Sequence, residues 1–197
     1  MSLQPLPLPG AELALDPRWL SAPAADALLA TLLAQVPWSV HRIRLFGREV
    51  ASPRLSCWIG EPDAAYTYSG TRFAPHPWPP ALLALRARLA RELDCDFNSV
   101  LANLYRDGRD AMGWHSDDEP ELGAAPLIAS LSLGAVRRFV LKSRQPPVQR
   151  LVLELPHGSL LVMGGATQRH YRHALPRTAR PLGARINLTF RNVRGAG

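Results

Sequence analysis

Hydrophobic residues in this chain follow a helical period in two places and an alternating period almost everywhere else. Between Ser21 and Val36, Leu28, Leu29, Leu32, Leu33 and Val36 recur three or four residues apart. This predicts a helix opening at Ser21-Ala-Pro and ending before Pro37. A Pro cluster closing at Pro80 precedes a second stripe, Leu82, Leu85, Leu89 and Leu93. It predicts a helix from Ala81 to Leu93 with Arg86, Arg88 and Arg91 facing water. His41 to Phe46 and Leu55 to Ile59 read as the two strands of a hairpin turning at Phe46-Gly47-Arg48, and Tyr66 and Tyr68 share one face of an extended segment. From Ser99 onward, strand-like runs follow at short intervals: Val100 to Tyr105, Pro126 to Leu133, Val136 to Lys142, Val148 to Leu155, Ser159 to Met163, His170 to Ala174 and Ala184 to Val193. Short strands separated by Gly, Pro and polar turns predict an α+β chain: a jelly-roll (double-stranded β-helix) core with the N-terminal helices packed on one outer face. Met1 to Pro17, rich in Pro and Leu, predicts irregular structure.

A length of 197 residues suits one domain with a sizeable core. Apolar residues make up 47% of it, yet no run approaches a membrane span, and no secretory signal pattern opens the chain. The expectation is a soluble intracellular, cytoplasmic protein and a monomer. Cys57 and Cys95 lack metal or CxxC spacing and read as reduced structural thiols. The net charge of +7 invites a polyanionic partner. Among 23 basic residues only Lys142 is a lysine, a bias that a GC-rich genome could also produce.

Candidate chemistry concentrates between Asn103 and Glu119. His115-Ser-Asp117 places an imidazole and a carboxylate two residues apart, hence on one side of an extended segment. Mononuclear non-haem Fe(II) sites use two histidines and one carboxylate, so a third ligand must come from elsewhere. His170-Tyr-Arg-His173 offers two candidates an odd number of residues apart, of which a strand can turn only one inward. In Arg185-Ile-Asn-Leu-Thr-Phe-Arg191, Arg185, Asn187, Thr189 and Arg191 alternate with Ile186, Leu188 and Phe190. Two arginines on an inward strand face are expensive unless an anion neutralises them, and a dicarboxylate matches guanidinium forks.

From Leu45 to Val193 the chain resembles the AlkB family of Fe(II)- and 2-oxoglutarate-dependent dioxygenases, which repair alkylated nucleobases. The resemblance is carried by Asn103-Leu-Tyr105, His115-Ser-Asp117-Asp118-Glu119, Ile128-Ala-Ser-Leu-Ser-Leu-Gly134, Arg138-Phe139, His157-Gly-Ser-Leu-Leu, His173 and the Arg185, Arg191 pair. It implies Fe(II) ligation by His115, Asp117 and His173, choosing His173 over His170. It also implies that Arg185 clamps the distal carboxylate of 2-oxoglutarate, with Asn103, Tyr105, Asn187 and Arg191 completing the pocket. Tyr68 then corresponds to an aromatic stacking on a flipped base, Asp118 to a carboxylate facing the base edge, and Glu119 to a neighbouring substrate contact. Phe46 and Arg54 reproduce the spacing of the finger phenylalanine and arginine found in the member that acts on duplex DNA.

The expectation is one dioxygenase domain over residues 1–197, in three parts, of which the resemblance covers all but about the first 40 residues. Residues 1–40 are an N-terminal extension, about 41–60 a nucleotide-recognition hairpin, and about 99–193 the catalytic jelly roll. The implied activity is oxidative demethylation of bases such as 1-methyladenine and 3-methylcytosine in DNA. Oxygen and 2-oxoglutarate are consumed, and formaldehyde, succinate and CO2 are released. Base flipping would bring the lesion to the metal. Alternatives are an oxygenase acting on RNA or protein, and a non-catalytic module that binds damaged DNA. The segment Gln168-Arg-His-Tyr-Arg172 receives no role.

Overall fold

The structure, a computed structural model, describes residues 2–45, 48–64, 66–68 and 71–194. Strands β1 (Gln4–Pro5) and β2 (Glu12–Asp16) precede helix α1 (Ala22–Gln35). Then come β3 (Arg42–Leu45), β4 (Arg48–Ala51), β5 (Leu55–Gly60), β6 (Tyr66–Tyr68), β7 (Thr71–Phe73) and helix α2 (Pro80–Leu93). The C-terminal half holds β8 (Ser99–Tyr105), β9 (Met112–His115), β10 (Ile128–Gly134), β11 (Arg137–Ser143), β12 (Arg150–Leu155), β13 (Ser159–Gly164), the one-turn helix α3 (Thr167–His170), β14 (Tyr171–Leu175) and β15 (Arg185–Arg191).

The strands form a seven-stranded sheet, ordered β1-β2-β13-β10-β15-β8-β5, and a four-stranded sheet, ordered β12-β11-β14-β9. Non-consecutive antiparallel neighbours in two sheets are the pattern of a jelly-roll core. One apolar cluster joins Leu32 of α1 and Val36 just after it, Leu82, Leu85 and Leu89 of α2, and Ile59, Val100, Leu131, Ile186, Leu188 and Phe190 of the larger sheet. A second cluster takes Ile128, Leu161 and Met163 from the larger sheet and Leu141, Leu153, Leu155 and Tyr171 from the smaller one or its approach. Alternation therefore divides β15: Ile186, Leu188 and Phe190 enter the first cluster, leaving Arg185, Asn187, Thr189 and Arg191 on the opposite face, toward the smaller sheet.

Two expectations are corrected. The stretch before Pro17, expected to be irregular, contains the strands Gln4–Pro5 and Glu12–Asp16. β2 pairs with β13 and extends the larger sheet, with Leu13 buried and the Asp16 carboxylate accepting hydrogen bonds from the backbone N–H groups of Ser2 and Arg18 at 2.8 and 3.0 Å. Its signal is a five-residue run among prolines, and its reason for being a strand is the exposed edge of β13. The return strand of the hairpin is Arg48–Ala51, with Leu45 opposite Arg48, while Leu55–Gly60 is a separate strand of the larger sheet paired with β8. Phe46 lies outside the described residues. Helix α1 starts after Ser21 and ends at Gln35, two residues before Pro37, as its pattern predicts. Both cysteines are free thiols. Among the described residues, no helix is long and apolar enough to cross a membrane.

Gly134 ends β10 with φ +83°, and a Cβ there would lie 2.3 Å from the Ala184 carbonyl oxygen. Gly134→Ala is expected to destabilise the fold by about 1–3 kcal/mol through that conformation and contact. Urea unfolding checks this, and an unchanged midpoint would contradict it.

Candidate active site

His115 is the last residue of β9 and lies opposite His173 on the adjacent strand β14. Registered partners of an antiparallel pair share a face, so both imidazoles turn inward, and their Nε2 atoms lie 3.1 Å apart. Asp117 follows two residues after His115 and is buried, with Oδ1 3.9 Å from His115 Nε2 and Oδ2 3.8 Å from His173 Nε2. One ligand atom from each of the three lies within 4.8 Å of the others. Metal–nitrogen bonds of about 2.1 Å set at right angles put neighbouring donors about 3 Å apart, so the set fits simultaneous ligation. His170 sits on α3 with its Nδ1 2.8 Å from the Gly10 carbonyl oxygen and takes no part.

Neighbouring groups orient each ligand. His115 Nδ1 lies 2.9 Å from the Gly113 carbonyl oxygen, which fixes that nitrogen as the donor and leaves the Nε2 lone pair for metal. The Asp117 backbone N–H donates to Gln168 Oε1 at 3.0 Å, and Arg191 Nη2 donates to Asp117 Oδ1 at 2.7 Å. Ser116 Oγ donates to the Tyr171 carbonyl oxygen at 2.8 Å, tying the ligand loop to β14. Burial would raise the Asp117 carboxyl, but Arg191, His173 and His115 more than reverse this and hold it below 3.8. Burial pushes His173 down to about 3; His115 and Arg191 act in the same direction and Asp117 opposes them. The folded chain thus presents a neutral imidazole and an ionised carboxylate, the forms that bind a cation.

The same cavity continues to Asn103, Tyr105, Ser130, Arg185, Asn187, Thr189 and Arg191. β15 pairs with β8 and β10, bringing Asn187 beside Asn103 and Arg185 beside Tyr105. Arg185 is 1% exposed; its Nη2 donates to Ser132 Oγ at 2.9 Å, while among the described residues Nε and Nη1 have no hydrogen-bond partner. Burial pushes its guanidinium down to about 10, aided by Arg137, so it remains a cation at neutral pH. A buried cation with two idle N–H donors is costly until an anion meets it, and a carboxylate facing those donors fits. Asn187 Nδ2 donates to Ser130 Oγ and the Leu131 carbonyl oxygen at 2.8 and 3.1 Å.

Several contributors received no role, or a different one, from the sequence. Arg137 is buried and donates to the carbonyl oxygens of Asp107, Asp110 and Pro176 at 3.0, 2.9 and 2.8 Å. It thereby joins the chain leading into β9 to the chain leaving β14, and its Cζ lies 5.9 Å from the Tyr105 ring centroid. Gln168, from the unassigned segment, supports Asp117. Phe139 lies against His173 with ring centroids 5.2 Å apart. Arg54, which the resemblance pairs with Phe46 as a finger arginine, is buried: its Nε donates to Asn103 Oδ1 at 2.6 Å and its Nη1 to Ser52 Oγ at 2.8 Å. Asp118 is exposed and accepts from Arg144 Nη1, and Glu119 is partly buried ahead of a 3-10 turn, Pro120–Leu122. Tyr68 ends β6, which pairs with β7; its side chain lies outside the described residues, as does Phe46.

A jelly roll with two histidines and one carboxylate converging inside it defines the architecture of a mononuclear non-haem Fe(II) oxygenase. Comparison with known sequences agrees. Residues 12–191 match the 2OG-Fe(II) oxygenase superfamily. The chain is 42% identical over 191 residues to "Alpha-ketoglutarate-dependent dioxygenase alkB homolog 3" of Mus musculus, covering 91% of this chain and 65% of that protein. It is 38% identical over 179 residues to "DNA oxidative demethylase ALKBH2" of Mus musculus, covering 86% and 75%. The solved structure of OsALKBH1 superposes with a TM-score of 0.63 at 16% identity, covering 94% of this chain and 99% of that one, a likeness of fold. The chain belongs to the AlkB family of 2OG-Fe(II) oxygenases, whose metal is Fe(II) and whose cosubstrates are 2-oxoglutarate and O2. It spans 65% of the length of the alkB homolog 3 protein it matches.

Two outcomes follow from the buried charges. Arg185→Met is expected to leave the melting temperature of the ligand-free chain unchanged or higher, because it removes an uncompensated buried cation. Excess 2-oxoglutarate with metal should stabilise the unsubstituted chain by about 2.7 kcal/mol at a hundredfold excess over Kd, and this gain should vanish in the variant. Thermal denaturation with and without 2-oxoglutarate reads both. His173 contributes stability fully above its ordinary 6.5, and loses it as pH falls from 6.5 toward about 3. The metal-free chain should therefore lose stability on acidification through that window, and His173→Asn should flatten the dependence; parallel melting curves for the two proteins would contradict this.

Proposed function

We propose that the chain is an oxidative demethylase that repairs N-alkylated bases of the 1-methyladenine and 3-methylcytosine type in DNA. The observation that carries this reading is the single cavity that holds both the His115, Asp117, His173 cluster and the buried cation Arg185 with two idle donors. Pure nucleic-acid binding needs neither feature. The relative named DNA oxidative demethylase, and the net charge of +7, support nucleic acid as the substrate.

In this reading His115, Asp117 and His173 hold Fe(II). Arg185 takes the distal carboxylate of 2-oxoglutarate on Nε and Nη1, and Tyr105, Asn103 and Asn187 complete the walls. Bound iron, 2-oxoglutarate and O2 together supply the oxidising power for an otherwise inert C–H bond. One oxygen atom ends in succinate as CO2 leaves, and the other becomes the hydroxyl of an N-hydroxymethyl base. That hydroxymethyl group then departs as formaldehyde and restores the N–H or ring nitrogen. Arg191 keeps Asp117 ionised and aimed, while Gln168 holds its backbone.

The lesion lies on a Watson–Crick edge and reaches the cavity only after leaving the stack, at a cost of a few kcal/mol that methylation already reduces. Tyr68 serves as the stacking ring, Asp118 and Glu119 meet the polar edge of the base, and Phe46 enters the vacated stack of duplex substrates. Arg54 acts indirectly, bracing Asn103 from the base of the hairpin.

The test is turnover of oligonucleotides carrying 1-methyladenine or 3-methylcytosine, scored for equal release of formaldehyde and succinate. Asp117→Ala should lower that release by at least about a thousandfold while leaving the circular dichroism spectrum unchanged. Succinate formed without formaldehyde on every alkylated oligonucleotide, but with formaldehyde on a peptide, would overturn the substrate assignment.

A further inference from the structure

Behind the ligand-bearing face of the smaller sheet lies an outer face whose charges do not serve its stability. Lys142 on β11 lies directly opposite Arg150 on β12 and Arg172 on β14, so three cations stand in one row across three strands. All three are exposed, and among the described residues none has a carboxylate at ion-pair distance. Like charges directly opposite each other destabilise an antiparallel pair. Four residues along β11 the same two strands do the reverse, setting Arg138 opposite Glu154.

The row borders a groove of about 400 Å³ lined by Trp114, Lys142, Arg144, Pro146, Val148 and Arg172. Trp114, on β9 beside β14, is 49% exposed, whereas the other four tryptophans are wholly or partly buried. An aromatic ring beside unneutralised cations is the composition that holds a single nucleic-acid strand: every base has a face to stack, and every phosphate a charge to neutralise. Strands about 4.8 Å apart make the row about 10 Å long. An acidic peptide would answer the cations and leave the indole without a stacking partner. Arg144 in this groove donates to Asp118, the residue after the ligand Asp117, so the rim of the groove adjoins the catalytic loop.

We propose that this outer face docks a single strand of the nucleic-acid substrate, with phosphates over Arg150, Lys142 and Arg172 and one base on Trp114. It rests on the nucleic-acid reading of the active site and adds a second contact surface to it. The segment Gln168-Arg-His-Tyr-Arg172 thereby acquires a role at both faces: Gln168 supports the metal ligand within, and Arg172 holds phosphate without.

The experiment uses the full chain and a short unmethylated thymidylate oligomer, so that it is independent of demethylation. Binding is read by fluorescence polarisation of the labelled oligomer and by quenching of protein fluorescence. The triple variant K142Q/R150Q/R172Q should bind roughly tenfold more weakly or worse, with a salt slope smaller by about 2, near 0.7 per lost phosphate contact. Its melting temperature should rise as the row of like charges is removed, and stabilisation by 2-oxoglutarate should persist as proof of an intact cavity. Trp114→Phe should abolish most of the quenching. Unchanged affinity and salt slope in the triple variant would overturn the groove while leaving demethylation unaffected. Stronger competition by polyglutamate or phosphatidylserine vesicles than by unlabelled oligomer would overturn the choice of partner. Failure of demethylation with groove binding retained would instead count against the catalytic reading.

Discussion

A guanidinium buried without a carboxylate is the constraint around which this fold is arranged. Arg185 is almost wholly removed from water, and among the described residues one serine hydroxyl is its only hydrogen-bond partner. Such a charge is costly in a core, and β15 carries it because the alternate positions Ile186, Leu188 and Phe190 are anchored in the apolar cluster with both helices. The burial that stabilises the strand on one face thus holds an unsatisfied cation on the other. In the proposed function a small diacid turns this cost into affinity, since its carboxylate would find donors already oriented and dehydrated.

Metal ligation depends on a different device, the pairing of β9 with β14. His115 and His173 are 58 residues apart in sequence, yet strand register sets them opposite each other. Arg191 at the far end of β15 reaches Asp117, so the strand that carries the buried Arg185 cation also steadies the Asp117 carboxylate. Arg137 ties the entrance of β9 to the exit of β14 through three carbonyl oxygens. The centre is held by elements from both sheets, which is why few of its supports adjoin the ligands in sequence.

The smaller sheet then works on both faces. Its period of two sends His173 inward and Arg172 outward, and His115 inward and Trp114 outward. Chemistry and strand docking can therefore share β9 and β14 without competing for positions. The opposed cations Arg150, Lys142 and Arg172 mark the outer face as the place where stability yields to charge complementarity with a polyanion.

Local pattern alone determined a good deal: the two helices, most C-terminal strands, the clean alternation of β15, and the ligand pair at His115 and Asp117, because each is written in a period of two or about four residues. Local pattern left His170 and His173 open, since an odd spacing lets either face inward; the family resemblance chose His173, and the register of β14 sets it opposite His115. The strand Glu12–Asp16 needed the edge of β13, and the hairpin return needed the pairing of β4 with β3, because neither segment has enough hydrophobic contrast of its own. Arg54, Arg137 and Gln168 acquired their roles only in three dimensions. Their partners are backbone carbonyls, an amide side chain and a backbone N–H brought close by folding, and such hydrogen bonds leave no spacing in a sequence to read.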